Sequence, residues 1–563
     1  MRAIDLYSGI GGWTVGLNRA GIEVVAAYEK WQPAIDTYNA NNGHEITSID
    51  IRSLELDLLP KNIDVVVGSP PCTQFSLSNR GGSGDLADGM VDIRKFLEIV
   101  DALRPSFWVM ENVPRVEKIL KTALFSDSGS LREFAHLFPN GADNIRSLNL
   151  AEYGLPQKRK RCLAGNFPLE LLLEYSQHCP ERTLGCVMDA LNQEQPQDPV
   201  YGIGLDRREL TDHKAELAMT EEEVRLNAQA KCRHPVYNAM SFPDILAKPA
   251  RTVTATCTKV SRESIVIESG ANMQNYRRLT IRERLCLQSF PISFQLFAKG
   301  YSQKIKMAGN ALPPLIAYYV ACAIRGTEAK DLRHPDQLER LPVLPSELAN
   351  CSKPEGRTTR YPEGRRFRGT IPNLHFKSGI RFEIQNSGKI TGGPSWAMTF
   401  TYGTPSNIKH LSLDKGTFSI FQKMDCYHVV EPSLQEEMDG LRSALQHYSP
   451  KTLQETWSRR SKNILTPFTI VDAIDAAIPP IIDTMNGIEN LVIAELRAFL
   501  LKRLKLRQNS DLKSVGLNDT KLQTYGPNIL VGVLLGCQIN ELVLGTKRAI
   551  LHRPQSFALV AAE

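Results

Sequence analysis

The sequence predicts an α/β protein, a parallel sheet with helices on both faces, followed by a separate α+β C-terminal region. Three observations predict it. Short β-branched runs alternate with helical stretches in the first third, four of those runs end on polar or reactive residues, and beyond Gly326 the pattern breaks up and resumes in another form. Ala3 to Tyr7 reads as the first strand, Ser8 to Gly12 as a glycine-rich turn and Trp13 to Ala20 as a helix. Ile22 to Tyr28 is the next strand, ending at Glu29, and Ala34 to Asn41 the next helix. Ile63 to Val67 leads through Gly-Ser-Pro-Pro into Cys72, and Phe107 to Met110 ends at Glu111. In a parallel sheet those ends share one edge, and ligands collect just beyond it.

At 563 residues, 42% hydrophobic and 23% charged, the chain is long enough for two or three domains of an ordinary globular protein. A net charge of +6 permits nucleic-acid binding without demanding it. The eleven cysteines include no C-x-x-C pair, and the spacing of Cys179, Cys186, Cys232 and His234 matches no standard metal site, so no metal is expected. Scattered thiols and the absence of an apolar leader suit an intracellular, cytoplasmic protein. The apolar run Asn528 to Leu544 is interrupted by Gln538, Asn540 and Glu541 and reads as a buried helix, not a membrane span.

Further along, residues 168–248 mix charge with short apolar patches and one helix, Thr220 to Ala230. Helices return at Ile281 to Gln288 and Leu312 to Ile324. Five prolines between 327 and 365 read as a linker, 366–430 alternates like strands, and 433–545 is helical.

Cys72, just past a buried strand, is a candidate nucleophile, although a structural thiol suits the same place. The turn Asp5-Leu6-Tyr7-Ser8-Gly9-Ile10-Gly11-Gly12 opens a helix and allows close backbone approach to a ligand. Glu29 is placed to bond a ribose hydroxyl pair, and Asp50, followed by Ile51, to read a nucleoside base. Together they point to a nucleoside cofactor.

An ordered series of motifs carries more. DLYSGIGG (5–12), GSPPCTQFS (68–76), ENVPRV (111–116), YGLPQKRKR (153–161), PARTVTA (249–255), RRLTIRERLCLQSFP (277–291) and GNALPP (309–314) resemble the DNA cytosine-5 methyltransferase family over residues 1–325. The resemblance implies a Rossmann-like methyltransferase sheet, S-adenosyl-L-methionine as cofactor and double-stranded DNA as substrate. It implies Cys72 as the nucleophile that adds to carbon 6 of a flipped cytosine, because carbon 5 is too poor a nucleophile unaided. Glu111 would bond the ring nitrogen and exocyclic amine, Arg159 would act on the base and Arg161 would support the site. Asp5, Tyr7, Ser8, Gly9, Gly11, Gly12, Glu29, Asp50, Ile51, Pro70 and Asn310 would hold the cofactor, with Asn310 at a helix start. Arg282 and Glu283 read as structural, and Arg80, Arg115, Lys158 and Lys160 as phosphate contacts. In one departure, Thr73 stands where the family has Gln after Pro-Cys, with Gln74 in the variable place.

The expected layout is a catalytic core over 1–167, a target-recognition region over 168–248, a return to the core over 249–326, a linker over 327–365 and an accessory domain over 366–563. Arg207, Arg208, Arg225, Lys231, Arg233 and Asn238 are candidate base readers. The family implies a restriction or defence role, with partners docking through 327–563. Alternatives are RNA cytosine-5 methylation and a subunit of a multi-protein defence complex. Glu383, Lys389, Asp414 and Lys415 invite a nuclease reading of the tail but form no clear strand-linked acidic pair.

Overall fold

The structure, a computed structural model, describes residues 1–544 except 73, 76–84, 215, 234–238, 270–274, 339–344, 346, 354–360, 377–378, 388–392, 405–406, 447, 459–465, 505, 507–511, 514–515 and 543. Thr73, Arg80, His234, Asn238 and Lys389 therefore lie outside the described residues. The chain divides into two compact units. Among the described residues, one contains 1–228 and 241–355, the other 229–240 and 356–544.

The first unit is built on a six-stranded sheet. Its strands are β1 (Arg2–Leu6), β2 (Glu23–Tyr28), β3 (Val65–Gly68), β4 (Phe107–Asn112), β5 (Ile145–Asn149) and β7 (Lys160–Asn166), in the order β2-β1-β3-β4-β7-β5. The first four run parallel, so β1, β3 and β4 end side by side, with Leu6 opposite Gly68 and Gly68 opposite Met110. β7 is antiparallel to both β4 and β5. The short β6 (Gln157–Lys158) pairs outside this sheet with Ala250–Arg251.

Alternation along each strand sends side chains to both faces. Ala3, Val65, Val67 and Val109 pack on one face with helix α1 (Gly12–Arg19) and helix Pro314–Ile324. Ile4, Leu6, Val66, Trp108 and Met110 pack on the other with α3 (Leu86–Leu103) and α4 (Arg115–Phe125). Burial on both faces explains why these strands read as continuous apolar runs. Every residue of Pro314–Ile324 is buried, and it lies against α1 where a Cβ on Gly16 would come within 2.5 Å of Ala317. The apolar stretch Tyr301–Ile324 is long enough by composition to cross a membrane, but 94% of its most apolar window is buried inside the protein.

The expected helix Thr220 to Ala230 is present as Glu221–Cys232, and the division between units falls within it. The prolines that suggested a linker from 327 begin instead with a fastened strap. Tyr318 donates to Arg333 O, Tyr319 bonds His334 and Lys304 donates to Asn350 O, which fastens the described residues before 354 to the first unit.

The second unit holds an antiparallel meander, Arg368–His375, Arg381–Asn386, Trp396–Thr404 and Asn407–Leu411, followed by helices. Helix Asp519–Leu542 covers one sheet face. A Cβ on Gly532 would lie 2.6 Å from the Phe382 ring, and Asn540 bonds both backbone groups of Met398. This is the buried helix expected from the run after Asn528. Asp414, one of the acids behind the nuclease reading, caps helix Lys415–Phe421 by accepting from Thr417 N.

Candidate active site

The turn after β1 is a tight cradle. Tyr7 takes φ +56°, a left-handed conformation that a non-glycine residue rarely adopts, and its hydroxyl donates to Asp92. Gly9 is also left-handed, and a Cβ added there would meet nothing within 4 Å, which leaves the outer side of the turn open. Gly12 faces the opposite situation, with a Cβ 2.1 Å from Leu312 O, so only glycine lets α1 start against the GNALPP segment. Ser8 is buried, and its Oγ finds no partner among the described residues.

Beneath the turn, Asp5 is fully buried and accepts from Thr14 Oγ1 at 2.8 Å. Burial pushes its carboxyl up to about 8, against the pull of the Thr14 hydroxyl. Glu29 accepts from the backbone N–H groups of Gly9 (3.0 Å), Lys30 (2.8 Å) and Trp31 (2.8 Å), so it ties the end of β2 to the turn. A carboxylate has about four acceptor sites, which leaves room for one more donor. Asp50 is exposed, caps the turn Ile51–Ser53 and pairs with Lys30 at 3.1 Å, while Ile51 is buried below it.

Cys72 follows β3 in a half-buried position, and its carbonyl accepts from Phe75 N in a tight turn. Trp13 donates to Ser69 Oγ and Asn112 donates to Pro70 O, which holds this loop from α1 and from the end of β4. Burial pushes the Cys72 thiol up. Arg161 and Arg159 pull it down, and Glu111 adds to the rise. Gln74, in the family's variable place, donates to Asp88 and accepts from Asp85 N, tying the turn to the start of α3.

Glu111, at the end of β4, is 7% exposed and forms an ion pair with Arg161 Nε at 2.8 Å. The partners sit opposite Leu163 and Leu148 in the ladder that joins β4, β7 and β5. Strand alternation over 157–160 turns Gln157 and Arg159 inward and Lys158 and Lys160 to solvent. Arg159 is 1% exposed and donates to the carbonyls of Val253, Gly309 and Ala311, with Nε left unpartnered among the described residues. Burial, and then Arg161, holds its guanidinium well below the usual range. Gln157 reaches Val253 N, Leu287 O and Gln288, stitching the same return segment to the core.

The structure thus gathers Cys72, Glu111, Arg159 and Arg161 at adjoining strand ends, and sets the turn 5–12 with Glu29 beside them. It places Asn310 differently from expectation. Asn310 is the exposed last residue of helix Tyr301–Asn310, and the new helix starts at Pro314, because two prolines in GNALPP suit a first turn and not the end of one. Arg282 donates to carbonyls of Thr211, Ile292 and Phe294, and Glu283 pairs with Arg277, so both hold the fold as expected. Among the candidate readers, Arg207 and Arg208 are exposed, whereas Lys231 is fully buried and cannot reach a base edge from there. Sequence reasoning did not single out Asn112, although it lies inside the ENVPRV run.

Residues 1–326 match the C-5 cytosine-specific DNA methylase family, and the chain belongs to it as a DNA cytosine-5 methyltransferase. It is 30% identical over 347 residues to the Type II methyltransferase M.HindV of Haemophilus influenzae, covering 59% of this chain and 99% of that protein. It is 30% identical to M1.HphI of Haemophilus parahaemolyticus (57% and 86% covered) and 28% identical to M.HgiDI of Herpetosiphon aurantiacus (62% and 99% covered). Among solved structures, a methyltransferase of Entamoeba histolytica, EhMeth, aligns with a TM-score of 0.40 at 16% identity, covering 58% of this chain and 98% of that one.

Proposed function

We propose that this methyltransferase acts through a covalent adduct between Cys72 Sγ and carbon 6 of a flipped cytosine in duplex DNA, with S-adenosyl-L-methionine as cofactor. The observation that carries the reading is the thiol of Cys72 at the end of β3 beside the Glu111–Arg161 ion pair at the end of β4. Adding Sγ to carbon 6 forms one carbon–sulfur bond and moves electron density to carbon 5. Glu111 holds a proton at ring nitrogen 3 and stabilises that addition, and Arg161 fixes the carboxyl in place. The Arg161 pair supports giving this residue the base-facing role that the resemblance gave Arg159. The carbonyl partners of Arg159 support a positioning role, in which it pins the return segment beneath the site. The thiol must lose its proton before attack, and the positive potential of the two arginines favours that loss. At the end of the cycle a base takes the carbon 5 proton and Sγ leaves.

The cofactor fits the residues around the turn. Gly9 leaves open space, the buried Ser8 hydroxyl is unpartnered, and Glu29 retains an acceptor site. Bound there, S-adenosyl-L-methionine supplies an electrophilic methyl group. Tyr7, Gly11, Gly12, Asp50, Ile51 and Pro70 shape the pocket around it, and Asp5 supports the turn from below.

The relatives are named Type II methyltransferases, which supports a role inside the cell marking DNA in a restriction pairing, with residues 327–563 available to dock further components. Labelled methyl groups transferred to duplex DNA test the chemistry. Transfer falls to background in Cys72→Ala, and undiminished transfer by that variant ends the mechanism.

A further inference from the structure

The meander of the second unit has two unlike faces. Ile371, Phe382, Ile384, Met398 and Phe400 form an apolar face under the helices. The register puts Arg368, Thr370, Arg381, Glu383, Thr401 and His410 on the other. Glu383, 1% exposed, accepts from Arg368 Nε (2.9 Å) and Nη2 (2.6 Å), and from Arg381 Nε (3.0 Å). Its carboxylate therefore holds two guanidinium groups side by side. Arg381 is 3% exposed, yet its Nη2 finds no partner among the described residues.

A buried guanidinium N–H without an acceptor is costly, and packing alone gives no reason to retain it. The opposite side of the cluster is open: the Arg368 side chain is 40% exposed, and His410, bonded to Thr401 through Nδ1, is exposed. Charge points the same way. Burial and the neighbouring arginines hold His375 and His410 below the usual histidine range, with Arg233 acting on the first, while Glu383 opposes. Asp475, near Arg233, and Asp472 beside it are further acids in reach. At the cluster itself two guanidinium groups share the one carboxylate of Glu383, which leaves it one charge positive. Arg233 comes from 229–240, the part of the expected recognition interval that belongs to this unit, and Gln229 there donates to Arg368 O.

We propose that this polar sheet face binds a backbone phosphodiester group of duplex DNA, with the exposed end of Arg368 as the donor, Arg381 behind it, and Glu383 as the residue that orients both. The proposal rests on duplex DNA being the substrate, and it adds a DNA contact remote in sequence from the catalytic residues. Glu383 takes the Nε and Nη2 side of Arg368, which leaves the exposed remainder of that guanidinium to meet a phosphate oxygen. Such a contact adds affinity without sequence preference.

The test uses the full-length protein and a labelled duplex over a series of salt concentrations. Arg368→Gln lowers the slope of log affinity against log salt by about 1, on matched and unmatched sequences alike. Methyl transfer at saturating DNA is unchanged, and Arg368→Lys restores most of the slope. An unchanged slope in Arg368→Gln, with circular dichroism and methyl transfer intact, overturns the proposal. Inorganic phosphate separates the sources. If it stabilises the wild type but not Arg368→Gln while the DNA slope stays the same, the face serves a free phosphoryl ligand and the DNA contact is refuted. Loss of slope together with absent methyl transfer in the wild type retains the contact and removes the catalytic reading instead.

Discussion

The two units each bury a glutamate against arginine on a sheet, and they use the pair in opposite ways. Glu111 stands at the carboxyl end of a parallel strand, with an ion pair to Arg161 and a thiol beside it. Glu383 stands within an antiparallel strand and accepts three hydrogen bonds from two guanidinium groups. A strand end leaves a carboxyl facing a space where a substrate fits. A position inside a ladder is surrounded by neighbouring strands, so its carboxyl is consumed by them and only the outer ends of its partners remain to act. Strand position, more than residue type, separates the acid proposed to react from the organising one.

Substitutions at the two glutamates break this comparison most directly. Glu111→Gln keeps the shape but changes the proton, so kcat for methyl transfer falls by about 10² to 10⁴-fold, while the melting temperature falls less than in Glu383→Gln because one guanidinium loses its partner and not two. Glu383→Gln does the reverse. Leaving two guanidinium groups without their shared carboxylate destabilises the fold by about 3–5 kcal/mol in chemical denaturation, with methyl transfer per folded molecule retained. Equal effects of both variants on kcat would erase the distinction.

A smaller effect comes from Asp5, a buried carboxyl that is neither saturated nor at the reacting edge. Its folded pKa of about 8 lies above the ordinary value of 3.8, so the folded state keeps a proton that the unfolded chain releases. The stability from this group is full below about pH 4 and is lost as the pH rises to about 8. Asp5→Asn removes that loss. The melting temperature of the variant minus that of the wild type therefore grows between pH 5 and 8 and levels off above it, measured without cofactor. A flat difference across that range refutes a protonated Asp5.

Much of the catalytic unit was legible because its strands are buried on both faces. Ala3 to Tyr7 and Ile63 to Val67 announce themselves as apolar runs, and the residues that follow them are those proposed to carry the chemistry. β5 and β7 were harder: Arg-Ser-Leu-Asn and Lys-Arg-Cys-Leu carry polar residues that a local pattern reads as loop. Helix Tyr301–Asn310 escaped for a related reason, since Ser302, Gln303 and Lys306 blur its apolar stripe. The motifs gave Arg159 the base and Arg161 the support; they did not show that Arg159 is held by backbone carbonyls about 90 to 150 residues away, because backbone groups leave no trace in a sequence. The polar face of the meander was invisible for the same reason. Arg368, Arg381 and Glu383 look like ordinary solvated charges until register brings them together.

The contact of Gly12 and Gly16 with the segment from Leu312 to Ala317 has a consequence for how the chain is made. The turn over 5–12 leaves the ribosome about three hundred residues ahead of the helix that buries α1. Until then α1 presents an uncovered apolar side, and the catalytic unit cannot close. Folding of this unit is thus bound to a late, long-range event, which belongs among the slow steps of protein folding and exposes the nascent chain to misassociation meanwhile. The methyltransferase unit closes only after synthesis has passed through all of residues 168–248.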